Sequence, residues 1–385
     1  MIPAFELQEI VREARVRTGV PGVAAGVLSD GQVVIAADGV LEQGGADPVL
    51  EETPFRIASI SKPFTASLAL ASLPLDEALR ARLSHTAGFR CESAEQLPEA
   101  AQGLFSYSNA GYWAVGEACA AGAGMPFERA MAERLLEPLG LAATGYGEPP
   151  RPARGHIQEG ATGHRPVARD AYPAARRASG GLWSTVADLL RFAAHHLGGP
   201  GPLAAETRAA MRNPQSQALG GGYGLGWWTH AAAGRPAIAH EGSVAGYQSL
   251  LLLLPDDGFA LAVLTNSWRG SGLVSRIVEQ LGVAAGAPDT TDGAPPADVA
   301  GRYVLDGSEA TVEVAAAGNL RVGDAEVDPV TRERIERSPA VAQPLGGGIY
   351  GIGGGHLMSH RLDFPRPEIA RVGWVALGKL PRDGA

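Results

Sequence analysis

The sequence predicts a chain of the α/β (α+β) class, with an antiparallel sheet, flanking helices, a helical subdomain and a small C-terminal all-β domain. Strand-like runs lie at both ends of the first 284 residues. Between about residues 55 and 225 the chain is instead rich in Ala, Leu, Arg and Glu, with many Gly and Pro breaks. Short strand-like runs return beyond residue 298.

The first elements are a helix and a hairpin. Four apolar residues at helical spacing predict a helix that ends at Gly19: Leu7, Ile10, Val11 and Ala14. Two apolar runs, 23–28 and 32–36, then flank Ser29-Asp-Gly31, and a glycine supplies the positive φ that such a turn needs. We therefore expect a strand, a turn and a second strand.

The later elements return to strand character. Thr185 and Asp188 have the spacing of a capping box and predict a helix over 186–196. Strands are expected at 237–240, 248–254 and 259–265. The five-leucine run that ends at Leu254 favours a strand buried on both faces. An amphipathic helix, ended by Gly282, follows these strands.

These patterns divide the chain into a large first domain over 1–284, a linker over 285–297 and a small β-barrel-like domain over 298–385. The linker holds Pro, Gly, Asp and Thr and hardly any large apolar residue. The glycine-rich segment 346–355 lacks the Lys-Ser/Thr pair and the helix of a phosphate-binding loop, so it is interpreted as a mobile loop.

Composition limits the classes of function. The 385 residues are 45% hydrophobic and 19% charged, as in globular proteins, and a net charge of −9 argues against nucleic acid or an anionic membrane as partner. No apolar run is long enough to span a bilayer, and the N-terminus lacks the pattern of a signal peptide, so a cytoplasmic location is expected. Cys91 and Cys119 lack metal-site spacing and are interpreted as reduced thiols.

The most informative motif is Ser59-Ile-Ser-Lys62. Residues three apart on a helix lie on one face within side-chain reach, so Ser59 and Lys62 are expected to touch. A serine hydroxyl is a weak nucleophile until a neighbouring base takes its proton, and a buried lysine can have a pKa low enough to do so. The pair therefore predicts an activated nucleophile.

Two further segments support this interpretation: Tyr107-Ser-Asn109 and His240-Glu-Gly242-Ser243. The order S-x-x-K, Y-x-N, H-x-G resembles the serine β-lactamase and penicillin-recognising superfamily, which includes class C β-lactamases, DD-carboxypeptidases, D-aminopeptidases and related carboxylesterases. Three other segments, 83–88, 179–188 and 222–227, are similar to that family's L-S-H-T-S-G, G-G-L-x-S-T-x-x-D and Y-G-L-G-W elements. The resemblance covers roughly residues 4 to 283 and implies a β-lactamase/transpeptidase-like fold with its site between sheet and helices.

The resemblance implies catalytic roles for Ser59, Lys62 and Tyr107. Ser59 would form an acyl-enzyme and Lys62 would accept its proton. Two adjacent cations are expected to lower the pKa of Tyr107 enough for it to act as base or proton relay, and the alternative is an aromatic residue that packs on the helical subdomain. Asn109 would orient Lys62 and the substrate carbonyl, or else form a turn. His85 is interpreted as structural.

The expected substrate-binding residues are Asn109, His240, Gly242 and Ser243. By analogy with the family, the backbone N–H groups of Ser59 and Ser243 would form the oxyanion hole. His240 stands where many penicillin-recognising members have the Lys of a K-T-G segment. A neutral His cannot hold a substrate carboxylate as Lys does, and the neighbouring Glu241 adds unfavourable charge.

The sequence thus predicts a serine hydrolase that cleaves an ester or amide in a small molecule or short peptide, of the esterase or D-amino-acid amidase/peptidase type, without metal or organic cofactor. A β-lactamase is the first alternative. The second is a non-catalytic protein that binds penicillin or peptidoglycan. One departure from the family is the short stretch between Lys62 and Ser84, which leaves little chain for the helix after the nucleophile.

Overall fold

In a computed structural model, the chain is described over residues 2–97, 104–159, 163–167, 172–218 and 221–284, and over eight strands between Gly301 and Lys379. Among these residues, no helix is both long enough and apolar enough to cross a membrane. The predicted linker, 285–297, lies outside the described residues.

The helices of this part of the chain vary from one turn to four. They are α1 (Ala4–Thr18), α2 (Ser61–Ser72), α3 (Glu77–Leu83), α4 (Asn109–Ala123), α5 (Phe127–Met131), α6 (Arg177–Gly180), α7 (Val186–His196), α8 (Ala205–Arg212) and α9 (Gly270–Gln280). The expected helix over 186–196 is confirmed, since Thr185 Oγ1 accepts from the backbone N–H of Asp188 at 3.3 Å and so begins α7. Helix α2 has 12 residues and is not cut short; the other possibility for the short stretch after Lys62, a reduced connection, fits the four residues 73–76 that separate α2 from α3.

Strands before residue 285 form one large antiparallel sheet and two small ones. They are β1 (Gly22–Ser29), β2 (Gln32–Gly39), β3 (Phe55–Arg56), β4 (His156–Glu159), β5 (Gly163–Pro166), β6 (Trp183–Ser184), β7 (Ser216–Ala218), β8 (Gly221–Tyr223), β9 (Trp228–Ala232), β10 (Arg235–Val244), β11 (Tyr247–Leu254) and β12 (Phe259–Thr265). The large sheet has the order β2-β1-β12-β11-β10-β9-β8-β7, and β3 pairs with β6 and β4 with β5. The sheet, with its helices, confirms the predicted fold class.

Helices cover both faces of the large sheet. Because side chains alternate along a strand, Leu251 and Leu253 of β11 pack with α7, whereas Leu250, Leu252 and Leu254 pack with α1 and α9. The five-leucine run is therefore a doubly buried strand, as predicted. The hairpin β1–β2 and the end of α1 at Gly19, which has φ 70°, are also confirmed.

The helical subdomain meets the sheet at β10. Helices α2, α4 and α6 pack on one another, and the 3-10 turn before α2 packs on β10 and β11. Alternation places His240 and Gly242 on the same face of β10 as the buried Ile238 and Val244, which is the face toward the helical subdomain. This seam brings the predicted motifs together.

The C-terminal strands form a closed antiparallel barrel. They are β13 (Gly301–Leu305), β14 (Ser308–Val314), β15 (Leu320–Val327), β16 (Arg334–Gly346), β17 (Ile349–Ile352), β18 (Arg361–Arg366), β19 (Ile369–Val372) and β20 (Val375–Lys379). The predicted mobile loop over 346–355 is wrong for Ile349–Ile352, which pairs with β16 and β18. Residues 347–348 and 353–355 lie outside the described residues.

Candidate active site

Ser59 lies in a tight turn between strand β3 and helix α2. The turn is the 3-10 segment Ala58–Ile60, and Ala58 has φ 46°, in a region that residues with a Cβ rarely adopt. Such strain persists only where the surroundings hold it and is typical of functional sites. Ser59 is partly exposed between two buried neighbours, so a rigid turn places its hydroxyl within reach of a ligand.

Lys62 follows in the first turn of α2 and is fully buried. Its Nζ donates to three oxygens: Ser59 Oγ at 3.3 Å, Asn109 Oδ1 at 2.6 Å and the backbone carbonyl of Ser179 at 2.9 Å. The predicted contact between Ser59 and Lys62 is present. The other two acceptors fix the ammonium group in one position.

Burial lowers the pKa of Lys62 to about 7, and the neighbouring Cys91 and Glu92 oppose only part of that shift. The physical cause is desolvation, because a charged ammonium group loses its hydration when it is enclosed by protein. A large fraction of Lys62 is therefore neutral near pH 7. A neutral amine with Ser59 Oγ in hydrogen-bond range can act as a general base.

Tyr107 faces both members of this pair. Its side chain shares a hydrogen bond with that of Ser59, and its ring centroid lies 4.5 Å from Lys62 Nζ. The expected lowering of the Tyr107 pKa is wrong: burial raises that pKa well above the usual value, and the bond to Ser59 only opposes the effect. Tyr107 is thus a neutral phenol, able to pass a proton on but not to hold a negative charge.

His85 supports the Tyr107 ring from behind. Its ring centroid lies 4.2 Å from that of Tyr107, and its Nδ1 accepts from the backbone N–H of Ser108 at 3.0 Å. Burial and the nearby Lys62 charge hold the pKa of His85 well below its usual range. A neutral imidazole therefore packs behind the phenol.

Asn109 is the first residue of α4, after the capping residue Ser108, whose Oγ accepts from the Gly111 backbone N–H. Its amide has two different neighbours. The oxygen faces Lys62, whereas Nδ2 donates a short hydrogen bond to Glu92 Oε1. The structure thus brings Asn109 to Lys62, as the motif predicts.

His240 lies on β10 and is almost completely buried. Tyr223 donates its hydroxyl hydrogen to Nε2 over 3.1 Å, and Nδ1 donates to the backbone carbonyl of Glu241 over 2.7 Å. Burial, with the Lys62 charge second, lowers the pKa of His240 to about 3. The imidazole is neutral, and both ring nitrogens already have partners within the protein.

Gly242 and Ser243 follow on the same strand. A Cβ on Gly242 would stand 2.2 Å from the carbonyl oxygen of Ile57 and 2.2 Å from Ser249 Oγ, so only glycine lets β10 approach the turn that carries Ser59. Ser243 Oγ accepts from Gln248 Nε2 at 2.9 Å. The close approach of the two backbones is what an oxyanion hole made of main-chain N–H groups requires.

Three residues at the site were not predicted. Ser179 and Tyr223 lie in segments that resemble the family, 179–188 and 222–227, but their contacts with Lys62 and His240 were not predicted from that resemblance. Glu92 lies in no segment with such a resemblance. It is an isolated carboxylate in a loop, and only the fold brings it to Asn109.

A serine on a strained turn, a buried lysine one helical turn later and a phenol in contact with both define a site of the serine-hydrolase class. The Beta-lactamase family profile matches residues 7–77 and 78–284, so the chain belongs to the Beta-lactamase family, whose members are typically serine hydrolases that act on small amide or ester substrates. The match covers all residues described above for the site.

Comparison with known proteins agrees. Penicillin-binding protein 4 of Amycolatopsis lactamdurans is 28% identical over 353 residues, covering 76% of this chain and 93% of that protein. The crystal structure of SurE superposes with a TM-score of 0.73 at 26% identity, covering 98% of this chain and 99% of the other. The D-amino acid amidase of Ochrobactrum anthropi SV3 shares the fold, with a TM-score of 0.60 at 21% identity, over 71% of this chain and 97% of its own.

Proposed function

We propose that this protein is a serine hydrolase that cleaves an ester or amide bond at the carbonyl of a D-amino-acid residue, through an acyl-enzyme on Ser59. The single observation that carries the proposal is the position of Lys62 Nζ, 3.3 Å from Ser59 Oγ, in a setting where burial lowers the lysine pKa to about 7. A binding protein has no need of an activated nucleophile.

Acylation begins when neutral Lys62 takes the Ser59 proton. Ser59 Oγ then forms a bond to the substrate carbonyl carbon, and the carbonyl electron pair moves to oxygen, where the backbone N–H groups of Ser59 and Ser243 donate hydrogen bonds. Asn109 Oδ1 and the Ser179 carbonyl stabilise the ammonium group that forms, since both already accept from Nζ.

The leaving group can depart only when its oxygen or nitrogen receives a proton. As the tetrahedral intermediate collapses, the bond to the leaving oxygen or nitrogen breaks and that atom takes a proton from the Tyr107 hydroxyl, which Lys62 replenishes. Water then attacks the acyl carbon and gives a proton to Lys62. As this second intermediate collapses, the bond to Ser59 Oγ breaks, Oγ takes the proton back from Lys62 and the carboxylic acid product leaves. A neutral phenol in contact with Ser59 suits this relay.

Two observations support a D-amino-acid substrate over a β-lactam. SurE, which spans nearly the whole chain, has also been solved with D-Leu, and that structure superposes with a TM-score of 0.69 at 26% identity. On β10 the position of the usual cation holds neutral His240, whose ring nitrogens are occupied by Tyr223 and Glu241. A neutral imidazole at this position does not supply the fixed positive charge that would hold an antibiotic carboxylate.

The test compares matched enantiomers. D- and L-leucine methyl ester and D- and L-leucine p-nitroanilide are incubated with the protein, and intact mass with peptide mapping locates any adduct. We expect hydrolysis of the D-compounds to exceed that of the L-compounds by about tenfold or more, with the adduct on Ser59. The Ser59→Ala variant is the control and should be inactive and unlabelled.

A β-lactam-directed activity is the second candidate, favoured by the name of the Amycolatopsis relative. A chromogenic cephalosporin and a fluorescent penicillin therefore complete the panel. Faster turnover of the cephalosporin than of any leucine derivative would establish a β-lactamase and contradict the proposal. Capture of penicillin without a covalent adduct, and without turnover of any compound, would indicate a binding protein.

A further inference from the structure

A carboxylate stands behind the residue that orients the catalytic amine. Glu92 Oε1 accepts a short hydrogen bond from Asn109 Nδ2, and Asn109 Oδ1 accepts from Lys62 Nζ at 2.6 Å. We propose that Glu92 is a positioning residue that holds the Asn109 amide with its oxygen toward Lys62. This inference rests on the proposed function, because it concerns the same proton acceptor.

An amide side chain can present either a donor or an acceptor to its neighbour. A carboxylate only accepts, so Glu92 selects the NH2 end of Asn109 and leaves the oxygen for Lys62. If the amide were reversed, Nδ2 would donate to the lone pair of the neutral amine. That lone pair is the one that must take the proton of Ser59, so the reversed amide would compete with the nucleophile for it.

Glu92 is itself held by a chain of contacts that returns to Lys62. Glu92 Oε2 pairs with Arg176 Nη1 at 3.1 Å, and the Arg176 guanidinium lies 4.9 Å from the ring centroid of Trp113. Trp113 Nε1 donates to Ser179 Oγ at 2.9 Å, and the Ser179 carbonyl accepts from Lys62. The contacts therefore form a closed circuit that joins α2, α4, α6 and the loop of Glu92.

Several ionisable groups face Lys62 from the packed elements, and their charges differ. They are His85, Cys91 and Glu92 from the loop after α3, Tyr107 and Tyr112 from the start of α4 and the segment before it, His240 from β10, and Arg176 beyond Glu92. Burial keeps the histidines and tyrosines neutral. Glu92 and Arg176 thus form an ion pair, and the two charges should shift the pKa of Lys62 in opposite directions: the carboxylate raises it and the guanidinium lowers it.

The chain offers a direct measurement because it contains two lysines, Lys62 and Lys379. Protein labelled with [13C]lysine gives two Cε resonances, assigned with Lys379→Arg, whose titration reports each pKa. Removal of the negative charge in Glu92→Gln should move the Lys62 midpoint down by about one pH unit. Removal of the positive charge in Arg176→Gln should move it up by about half a unit.

Matched controls lie beside each residue. Glu95→Gln removes a carboxylate that lies in the same loop as Glu92, is largely exposed and pairs with Arg90. Arg177→Gln removes the arginine next to Arg176, which pairs with Glu128 at 2.7 Å. Neither should move the Lys62 midpoint by more than about 0.2 unit. Glu92→Asp keeps the charge and should restore much of the Lys62 midpoint.

Opposite shifts in the two variants, with kcat reduced about tenfold in Glu92→Gln and KM little changed, would support the positioning role. Shifts of the same sign, or no shift beyond the controls, would overturn it. If Glu92→Gln does not fold, Arg176→Gln still decides, since an unchanged midpoint there contradicts the proposal. The titration needs no substrate, so expected shifts in a protein that never acylates Ser59 would overturn the proposed function and leave the positioning role.

Discussion

At the scale of single residues, the proposed role of Lys62 as proton acceptor predicts how the reactivity of the site depends on pH. Its pKa is lowered to about 7 by burial, and only the neutral amine can take the Ser59 proton. We therefore expect the rate of Ser59 acylation by a fluorophosphonate to fall about tenfold per pH unit below that midpoint and to level off above it. The measurement is the second-order labelling rate constant between pH 5 and 9.

Ionisation of Tyr107 should not add a second inflection to this pH–rate profile, since burial raises the pKa of the phenol well above its usual value and keeps it protonated up to pH 9. A midpoint close to the ordinary lysine value would show that water reaches Nζ. A flat profile would show that another group takes the proton.

The two proton-handling residues should be strongly coupled. Lys62→Ala and Tyr107→Phe are each expected to reduce kcat by roughly 10²- to 10⁴-fold, the range for loss of general acid–base assistance. The kcat of the double variant should be only slightly lower than that of the less active single variant, because both residues are proposed to serve one proton path. A double-mutant cycle with the most active leucine derivative measures this coupling, and multiplicative effects would show two independent roles.

At the scale of elements, the contact between β10 and the nucleophile turn depends on Gly242. A methyl group there meets the Ile57 carbonyl oxygen and Ser249 Oγ at 2.2 Å, so Gly242→Ala must push the strand and turn apart. We expect a loss of about 1–3 kcal/mol in unfolding free energy, and a loss of about 10²-fold in kcat/KM because the backbone donors move. Urea unfolding and steady-state kinetics measure the two effects.

Gly272 is the matched control. It lies in α9 and is exposed, and a Cβ on this residue would have no neighbour within 4 Å. Gly272→Ala should therefore stabilise the protein by about 0.5–1 kcal/mol without affecting kcat/KM. Unchanged activity in Gly242→Ala would mean that the close approach serves stability alone.

Local patterns were sufficient to predict the first and last helices of the catalytic unit, α7, and five strands of the large sheet: β1, β2, β10, β11 and β12. The five-leucine run identified β11 because a strand covered on both faces needs apolar residues at every position, and Thr185 marked the start of α7 because its side chain caps a helix N–H. Residues between β10 and the helical subdomain were predicted as part of the site only where they lie in one of the recognised motifs. Glu92 and the neutral state of Tyr107 depend on burial and on contacts between segments far apart in sequence, which no local pattern encodes.

At the scale of the whole molecule, we propose that the unit over 1–284 and the barrel are separate domains. The large sheet and both of its covering layers are complete before residue 285. A chain that ends near Ala287 should therefore fold, by circular dichroism and a cooperative thermal transition, and should still be labelled at Ser59. Its preference between short and long substrates is expected to change.

Insolubility of that truncated chain would show that the two parts share a core. Unchanged selectivity in a well-folded truncation would leave the barrel with a role in assembly or location. The solved relatives include both lengths, since SurE covers 98% of this chain whereas the D-amino acid amidase covers 71%.

The pairing of β1 with β12 also decides where the catalytic unit can be tethered. Val23 lies opposite Thr265, so the start of β1, which follows α1, and the end of β12, which precedes α9, lie side by side. Both helices pack on the same face of the sheet, away from Ser59. Because α1 and α9 pack on each other and run in opposite directions from this point, their other ends, Ala4 and Gln280, extend the same way. In a chain that ends near Ala287 and lacks the barrel, a short peptide could therefore join these ends into a circular permutant, and an anchor attached there would lie on the face of the sheet away from Ser59.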